Sequence, residues 1–576
     1  MRSLGSRFAF SAVVLFSLSA AACSGGCKKK PKPEEIAKKD VTPPRKEIKE
    51  VAAPDDLVAE IVMKDPEAFA KRVVEGAGFA KDVGASPYEK MIDTVPDENA
   101  KKALKAIDPH GGLAAIALFK LGEKGKPHYV AAARLKDPDI ANTALSAAAK
   151  GGDVKSAPSK ILETTVYDAK DAHIAILGEV VVVSDTLEAL ESGAKYTAFK
   201  STKGAKLDHD MIVRSPLEKI GPRLAKLGKE EWGKLPAGEP PAKIKAVMEP
   251  MVDPFLAGVG DMGDFTIAID AKGTELEADG KLAAKGKFSS FLSTVPQGDA
   301  SALLALPKGE GAGFIRIPDG LGPIVYELVD DSIGSGSLPA ADKASLLKHV
   351  RALGGALGHE LAYANKATAP GTGAGLESEF IFRIELSDGA TAKTSITELR
   401  KMATKAAGTT AGLTITPYKK FGAEGETLAF DGTSAFAKTA AKDHVAWAVR
   451  GSFAYVDVCL GCPTVLLDVA LDPASTATLG SDATAKAKIG SFPGKGVVTA
   501  SYADSWAFPK GLSGMLGVPT GSSLKPGSAM WGWGAVVGDG LVLKSGFPLA
   551  FVGDMARFYI AILGMRSGAM GAATPF

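Results

Sequence analysis

The sequence predicts an α+β fold of mainly antiparallel sheets with packed helices, organised as two related modular halves. Three observations predict it. Short alternating or apolar runs end at Asp-Pro or Asp-Gly and lead into helix-like stretches. Pairs of alternating runs flank glycine-containing turns, the mark of β-hairpins. A hairpin followed by an amphipathic segment occurs near mid-chain (Phe265 to Asp279, then Phe288, Phe291 and Leu292), and a similar arrangement closes the chain (Trp531 to Leu543, then Phe551 to Leu563).

The run–cap–helix pattern begins at Leu57–Lys64, followed by Asp65-Pro66 and a helix over Glu67–Val74. It recurs at Tyr129–Leu135 with Asp137-Pro138 and Ile140–Ala149. Phe314–Ile317 with Asp319-Gly320 and Ile324–Leu328 is a third copy, and Phe380–Leu386 with Asp388-Gly389 and Ala390–Ala403 a fourth. Leu466–Leu471 before Asp472-Pro473 is a weaker fifth, with Val465–Leu471 read as a strand. Aspartate accepts hydrogen bonds from the free N–H groups of a first helical turn, and proline at the first position has none to leave unsatisfied. The recurrence fits a duplication and equally a convergence on common local chemistry. Hairpins are predicted at Phe265–Asp270 with Glu275–Asp279, at Val445–Val449 with Phe453–Val458, and within Ile174–Ser184, which leads into a helix from Thr186 to Ala194. A boundary at Val295–Gly298 divides the body into modules 55–295 and 296–576.

Ahead of the body, Arg2 and Arg7 precede or flank an apolar run that closes on Ala20-Ala21-Ala22 before Cys23. The run is about fifteen residues, and a spanning helix needs roughly twenty. Residues 1–22 therefore read as an export signal. The segment Leu18–Cys23 resembles the lipobox of bacterial lipoproteins, with Ala20 where that family usually has leucine. The resemblance implies lipidation of Cys23, and Ser24 after it resembles the outer-membrane class. Cys27 is a second candidate acceptor. Residues 23–54 form a Lys/Pro-rich tether that cannot bury enough apolar surface to fold. Residues 23–50 carry nine basic and five acidic side chains, so with +2 for the whole chain and +2 in the signal the body holds −4. The body loosely resembles uncharacterised envelope lipoproteins of weakly repeated α+β units, a family without an activity to carry over.

Among 576 residues, 46% are hydrophobic but only 7% aromatic, and 65 are glycine, so cores of small and aliphatic side chains are expected. No clustered basic face marks a nucleic-acid binder. Gly258–Gly263 matches G-x-G-x-x-G, but a strand follows it where a dinucleotide site needs a helix, and it reads as a loop. His359-Glu360 lacks the second histidine of a zinc-protease motif and reads as helical. His209, in Asp208-His209-Asp210, has no visible second ligand. No metal site and no cofactor is expected. Cys459-Leu460-Gly461-Cys462 remains: a disulfide in an oxidising envelope, a redox dithiol, or half a zinc site for which the sequence holds no second pair. The expectation is a lipid-anchored cell-envelope protein with a non-enzymatic binding or scaffolding role, its partners the membrane and an unknown envelope protein or ligand. The rivals are a thiol–disulfide oxidoreductase using Cys459 and Cys462, and a carrier of lipids or hydrophobic small molecules.

Overall fold

The computed structural model describes residues 48–78, 86–93, 95, 98–119, 127–151, 154–169, 172–234, 256–317, 322, 339–367, 378–407, 413–430, 443–460, 465–504 and 528–552. The fold is α+β, and it forms two compact units. Unit 1 comprises Met1–Leu227 and Gly263–Gly280, and unit 2 comprises Gly228–Met262 and Lys281–Phe576. The chain passes between the units at 227/228, 262/263 and 280/281, the last of these inside the ten-residue strand Glu275–Ala284.

In unit 1, strand β1 (Leu57–Met63) leads through Asp65 into helix α1 (Pro66–Gly76). Asp65 lies in extended backbone and accepts Ala68 N at 2.8 Å, with Pro66 at the first helical position. Helices α2 (Pro87–Asp93) and α3 (Glu98–Lys105) follow, then β2 (Leu113–Leu118), β3 (His128–Arg134) and α4 (Pro138–Gly151). Four strands come next: β4 (Lys155–Ser159), β5 (Thr164–Ala169), β6 (Ala172–Leu177) and β7 (Val180–Ser184). Helix α5 (Leu187–Gly204), β8 (Met211–Ser215), α6 (Leu217–Lys234), β9 (Met262–Lys272) and β10 (Glu275–Ala284) complete the series. Spatially the strands run β4-β5-β6-β7-β3-β2-β1-β8-β9-β10, with antiparallel neighbours from β4 through β9.

Unit 2 continues with α7 (Gly286–Thr294), β11 (Gly311–Arg316), α8 (Ala340–Ala356), β12 (Leu357–Ala367), β13 (Ser378–Leu386) and α9 (Gly389–Ala407). Then come β14 (Leu413–Lys420), β15 (Ala423–Phe430), β16 (Asp443–Arg450) and β17 (Phe453–Leu460). Helices α10 (Leu466–Leu471) and α11 (Ala483–Gly490) precede β18 (Val497–Asp504), β19 (Ala529–Val537) and β20 (Gly540–Pro548). The spatial order is β14-β15-β16-β17-β13-β12-β11-β18-β19-β20, all antiparallel. It is the order of unit 1 with ten added to every number. The two halves share one topology.

Cores form on both faces of each sheet. In unit 1, Leu190, Ala194 and Tyr196 of α5 pack on Ile116, Val130, Val180 and Val182. Ala131, Ile174 and Val183 form the other core with Ala141 of α4. Because both faces are covered, β7 reads as an unbroken apolar run rather than an alternating one, with all five of its residues buried. Close approach of α5 depends on glycine: a Cβ on Gly193 would lie 2.9 Å from Ile116 Cδ1, and one on Gly112 would lie 2.0 Å from Ser201 O. In unit 2, Leu303, Phe314, Ile381, Leu467 and Trp531 share the larger core.

Three local expectations are corrected. Val465–Leu471, read as a strand, holds the helix α10, which turns Leu467 and Leu471 to one buried face. His359-Glu360, read as helical, lies in β12, where Glu360, Ala362 and Ala364 alternate into the core. Residues 258–260 of the glycine motif, read as loop, are helical, and the expected strand does follow. The third-copy cap Asp319-Gly320 with Ile324–Leu328 lies outside the described residues, as does the segment from 553 onward.

Candidate ligand-binding recess

A concavity lies in unit 1 between helices α1 to α3 and the ends of β2 and β3. Its frame is built from capping chemistry. Besides Ala68 N, the Asp65 carboxylate meets His110 Nδ1 at 3.1 Å, which ties the start of α1 to the turn after α3. Glu67, in the first turn of α1, is buried and accepts Tyr88 N at 3.1 Å. The Tyr88 hydroxyl donates to Leu104 O at 2.6 Å, so this one residue, through its backbone N–H and its side chain, joins the three helices. Burial, and secondarily the Glu67 charge, push the Tyr88 phenol above its ordinary range, so it is a fixed hydrogen-bond donor at neutral pH.

Behind Tyr88 is an apolar cavity of about 100 Å³ lined by Ala70, Met91, Leu104, Ile107 and Leu113. In front is a cleft of about 800 Å³ with a charged rim of Lys71, Glu89, Asp93, Lys105, His110 and Lys136. Glu67, Tyr88 and Pro109 line both. Ligand sites commonly enclose about 300–1,000 Å³, which the cleft meets. An engineered cavity of about 150 Å³ binds benzene, so the inner space takes a single small apolar group rather than a lipid chain. The arrangement suits a polar ligand with one apolar anchor. Ser86, the hydroxyl nearest the rim, accepts Glu89 N at 3.0 Å and serves as the cap of α2.

The residues singled out by sequence stand elsewhere. Cys23, Cys27 and Cys462 lie outside the described residues. Cys459 closes β17, is fully buried and is disulfide-bonded. A sulfur without exposed surface is out of reach of an attacking thiolate. Cys459 pairs in register with Glu379 on one side and His444 on the other. Glu379 and Asp457, both buried, accept the first N–H groups of α10: Glu379 from Val465 and from Leu466 at 2.6 Å, Asp457 from Leu467 at 2.7 Å. Burial first, and the neighbouring Glu379 charge second, push the Asp457 carboxyl up to about 8. His209 Nδ1 donates to the Asp270 carboxylate, 2.9 Å away, while its neighbour Asp210 meets Arg72. His359 Nδ1 sits 2.9 Å from Ile317 O. Among the described residues no three His, Cys, Asp or Glu side chains converge on a metal position.

The sequence reading missed the recess residues and two buried ionic networks. In unit 2, Glu360 lies 2.9 Å from Arg316 and 3.2 Å from Arg383, each about nine-tenths buried. In unit 1, Glu60 of β1 accepts Tyr196 and Lys200 of α5. A charged residue inside an apolar run was the available signal, since such residues are almost never buried unless paired.

No family model and no curated protein matches this chain. Solved structures of TP0453 in crystal forms I, III and IV are similar to part of it at 10% identity. They cover 41%, 42% and 39% of this chain and 79%, 86% and 76% of their own, with TM-scores of 0.21, 0.22 and 0.21 respectively.

Proposed function

We propose that the chain is a lipid-anchored protein of the cell envelope with a non-enzymatic binding role, and that unit 1 receives the ligand in its recess. The observation that carries the reading is the pairing of an apolar cavity with a ligand-sized, charged cleft around Tyr88 and Glu67. The leader and the Lys/Pro-rich tether support the location. Anchoring through Cys23 would hold the body at the membrane by the summed burial of acyl methylenes, about 0.8 kcal/mol each.

Two measurements test it. Cells fed radiolabelled palmitate should label the wild-type chain and Cys27→Ser, and fail to label Cys23→Ser. Retained label on Cys23→Ser would move the anchor. For the recess, small aromatic fragments are titrated against the mature chain while the Met91 methyl resonance is followed. Fragments should shift it, and Ala70→Leu, which fills the cavity, should abolish the shift. A screen in which no fragment moves Met91 would sink the ligand reading.

A further inference from the structure

We propose that α7 of unit 2 is a membrane-surface contact that lays an apolar face against the headgroups and acyl boundary of a lipid bilayer. The inference rests on this helix and its flanks, not on the recess of unit 1. Leu292 and the following Val295 are turned to the core. Phe288 and Phe291 stand beside them with ring centroids 6.4 Å apart, and Phe291 keeps 49% of its surface exposed. Phe288 is partly buried near Gly258, so Phe291 is the ring that projects outward from the helix.

The polar residues of α7 do little to wet that face. Ser290 donates to Gly286 O at 3.1 Å, Ser293 to Ser290 O at 2.7 Å, and Thr294 to Phe291 O at 2.8 Å. Three hydroxyls are thereby satisfied by the helix's own carbonyls, an arrangement that needs no water. At the other end the charge is positive. Lys281, Lys285 and Lys287 are exposed, and the Asp261 carboxylate, which accepts Lys287 N at 2.8 Å, offsets only one of the three charges. Lysines at one end and aromatics along one side are the composition of an interfacial helix, which gains apolar burial and attraction to anionic lipids together. The hairpin between β19 and β20 adds to the surface: Gly540 abuts Leu282 O, and Val537 at its tip is 61% exposed. A bilayer is the occupant these features fit, because the cationic end complements anionic headgroups.

The test uses the mature chain with Cys23→Ser and Cys27→Ser, so it reads independently of any acyl anchor. Co-flotation is measured with vesicles of phosphatidylcholine, with and without phosphatidylglycerol. Binding to the anionic vesicles is expected. Phe291→Ser should weaken it about tenfold or more, and Lys285→Glu with Lys287→Glu should weaken it on anionic vesicles alone, by about fivefold per removed charge. Circular dichroism melting of each variant establishes that it folds. In a second readout, Phe291→Trp should gain fluorescence that brominated acyl chains quench. Absence of binding, equal binding by Phe291→Ser, or fluorescence of the Phe291→Trp variant untouched by brominated lipid would overturn the proposal. So would a concentration-dependent dimer of the parent that Phe291→Ser dissolves, since the face would then belong to a second copy.

Discussion

In unit 1 the chain crosses from β7 to β8 on one helix of eighteen residues, whereas in unit 2 the same crossing, from β17 to β18, is made in short pieces. Both crossings span the same three intervening strands. The difference shows that strand pairing fixes this topology and leaves the crossover free. It also decides where buried charge is needed. A continuous helix has one N-terminus, capped here by Thr186, and needs only a lateral tie, which Glu60 supplies to Tyr196 and Lys200. A broken crossover has several starts, and each leaves N–H groups to satisfy. Glu379 and Asp457 serve α10, and Asp482 serves α11 through Thr484 N and Ala485 N at 2.9 and 3.0 Å.

The largest effects should come from the buried ionic networks, and they should be unequal. Glu360→Ala strands two guanidiniums in the core of unit 2, and breaking a buried pair costs about 3–5 kcal/mol. Glu60→Ala in unit 1 leaves a neutral tyrosine and a lysine that is a quarter exposed. Its expected cost is about 1–3 kcal/mol, the range for an unsatisfied buried partner. Denaturant titration followed by hydrogen exchange, read separately for each unit, checks both. Equal losses would show that the two networks do the same job, and the contrast between the crossovers would fall.

Next come the glycines that admit close approach. Gly112→Ala must displace Ser201 O on α5, and Gly425→Ala must displace Trp447 O on β16, where a Cβ would sit at 1.8 Å. Overpacking of this kind costs about 1–3 kcal/mol or more. Hydrogen exchange should locate the first loss along α5 and the second along β15 and β16. Loss spread evenly over unit 1 for Gly112→Ala would mean that α5 and the sheet unfold as one piece, and that the crossover is not a separable feature.

Much of this duplication was legible in the sequence, and the reason it was only partly so is physical. Asp65-Pro66, Asp137-Pro138 and Asp388-Gly389 announce strand–helix junctions because capping is local chemistry. The hairpins at Gly178, Gly273 and Gly451 were readable because their glycines take positive φ, at 58°, 60° and 58°. Strands such as β2 and β12 carry alanine-rich or mixed patterns whose alternation shows only once the core is known. Val465–Leu471 misled because β-branched and aliphatic residues favour a strand, while two carboxylates brought from β13 and β17 by the fold nucleate a helix there. The recess was illegible for the same reason: Glu67 and Tyr88 meet across 21 residues, and no local pattern encodes that contact.

The pH effects should carry opposite signs in the two units, and they fall in different pH windows. Asp457 in unit 2 has a folded pKa raised to about 8, by burial and then by Glu379, against about 3.9 when unfolded. The folded state therefore holds a proton that the unfolded state has lost between about pH 4 and pH 8, so stability falls as pH rises through that window and levels off above it. The slope cannot exceed about 1.4 kcal/mol per pH unit for one proton. Asp457→Asn should flatten the profile of unit 2. In unit 1, burial raises Asp270, but hydrogen bonds from His209 and Asp210 N outweigh it and hold the carboxyl below its usual range. Its contribution is present above about pH 4 and is lost as pH falls through the depressed value. Because His209 is 40% exposed, His209→Gln should cost less than about 1 kcal/mol, as partly exposed pairs do. Per-unit exchange measured at pH 5 and at pH 8 separates the two. Unit 2 should be the more protected at the lower pH and unit 1 nearly indifferent. A parallel response in both units would mean that the carboxylates at the broken crossover are not what sets its pH dependence.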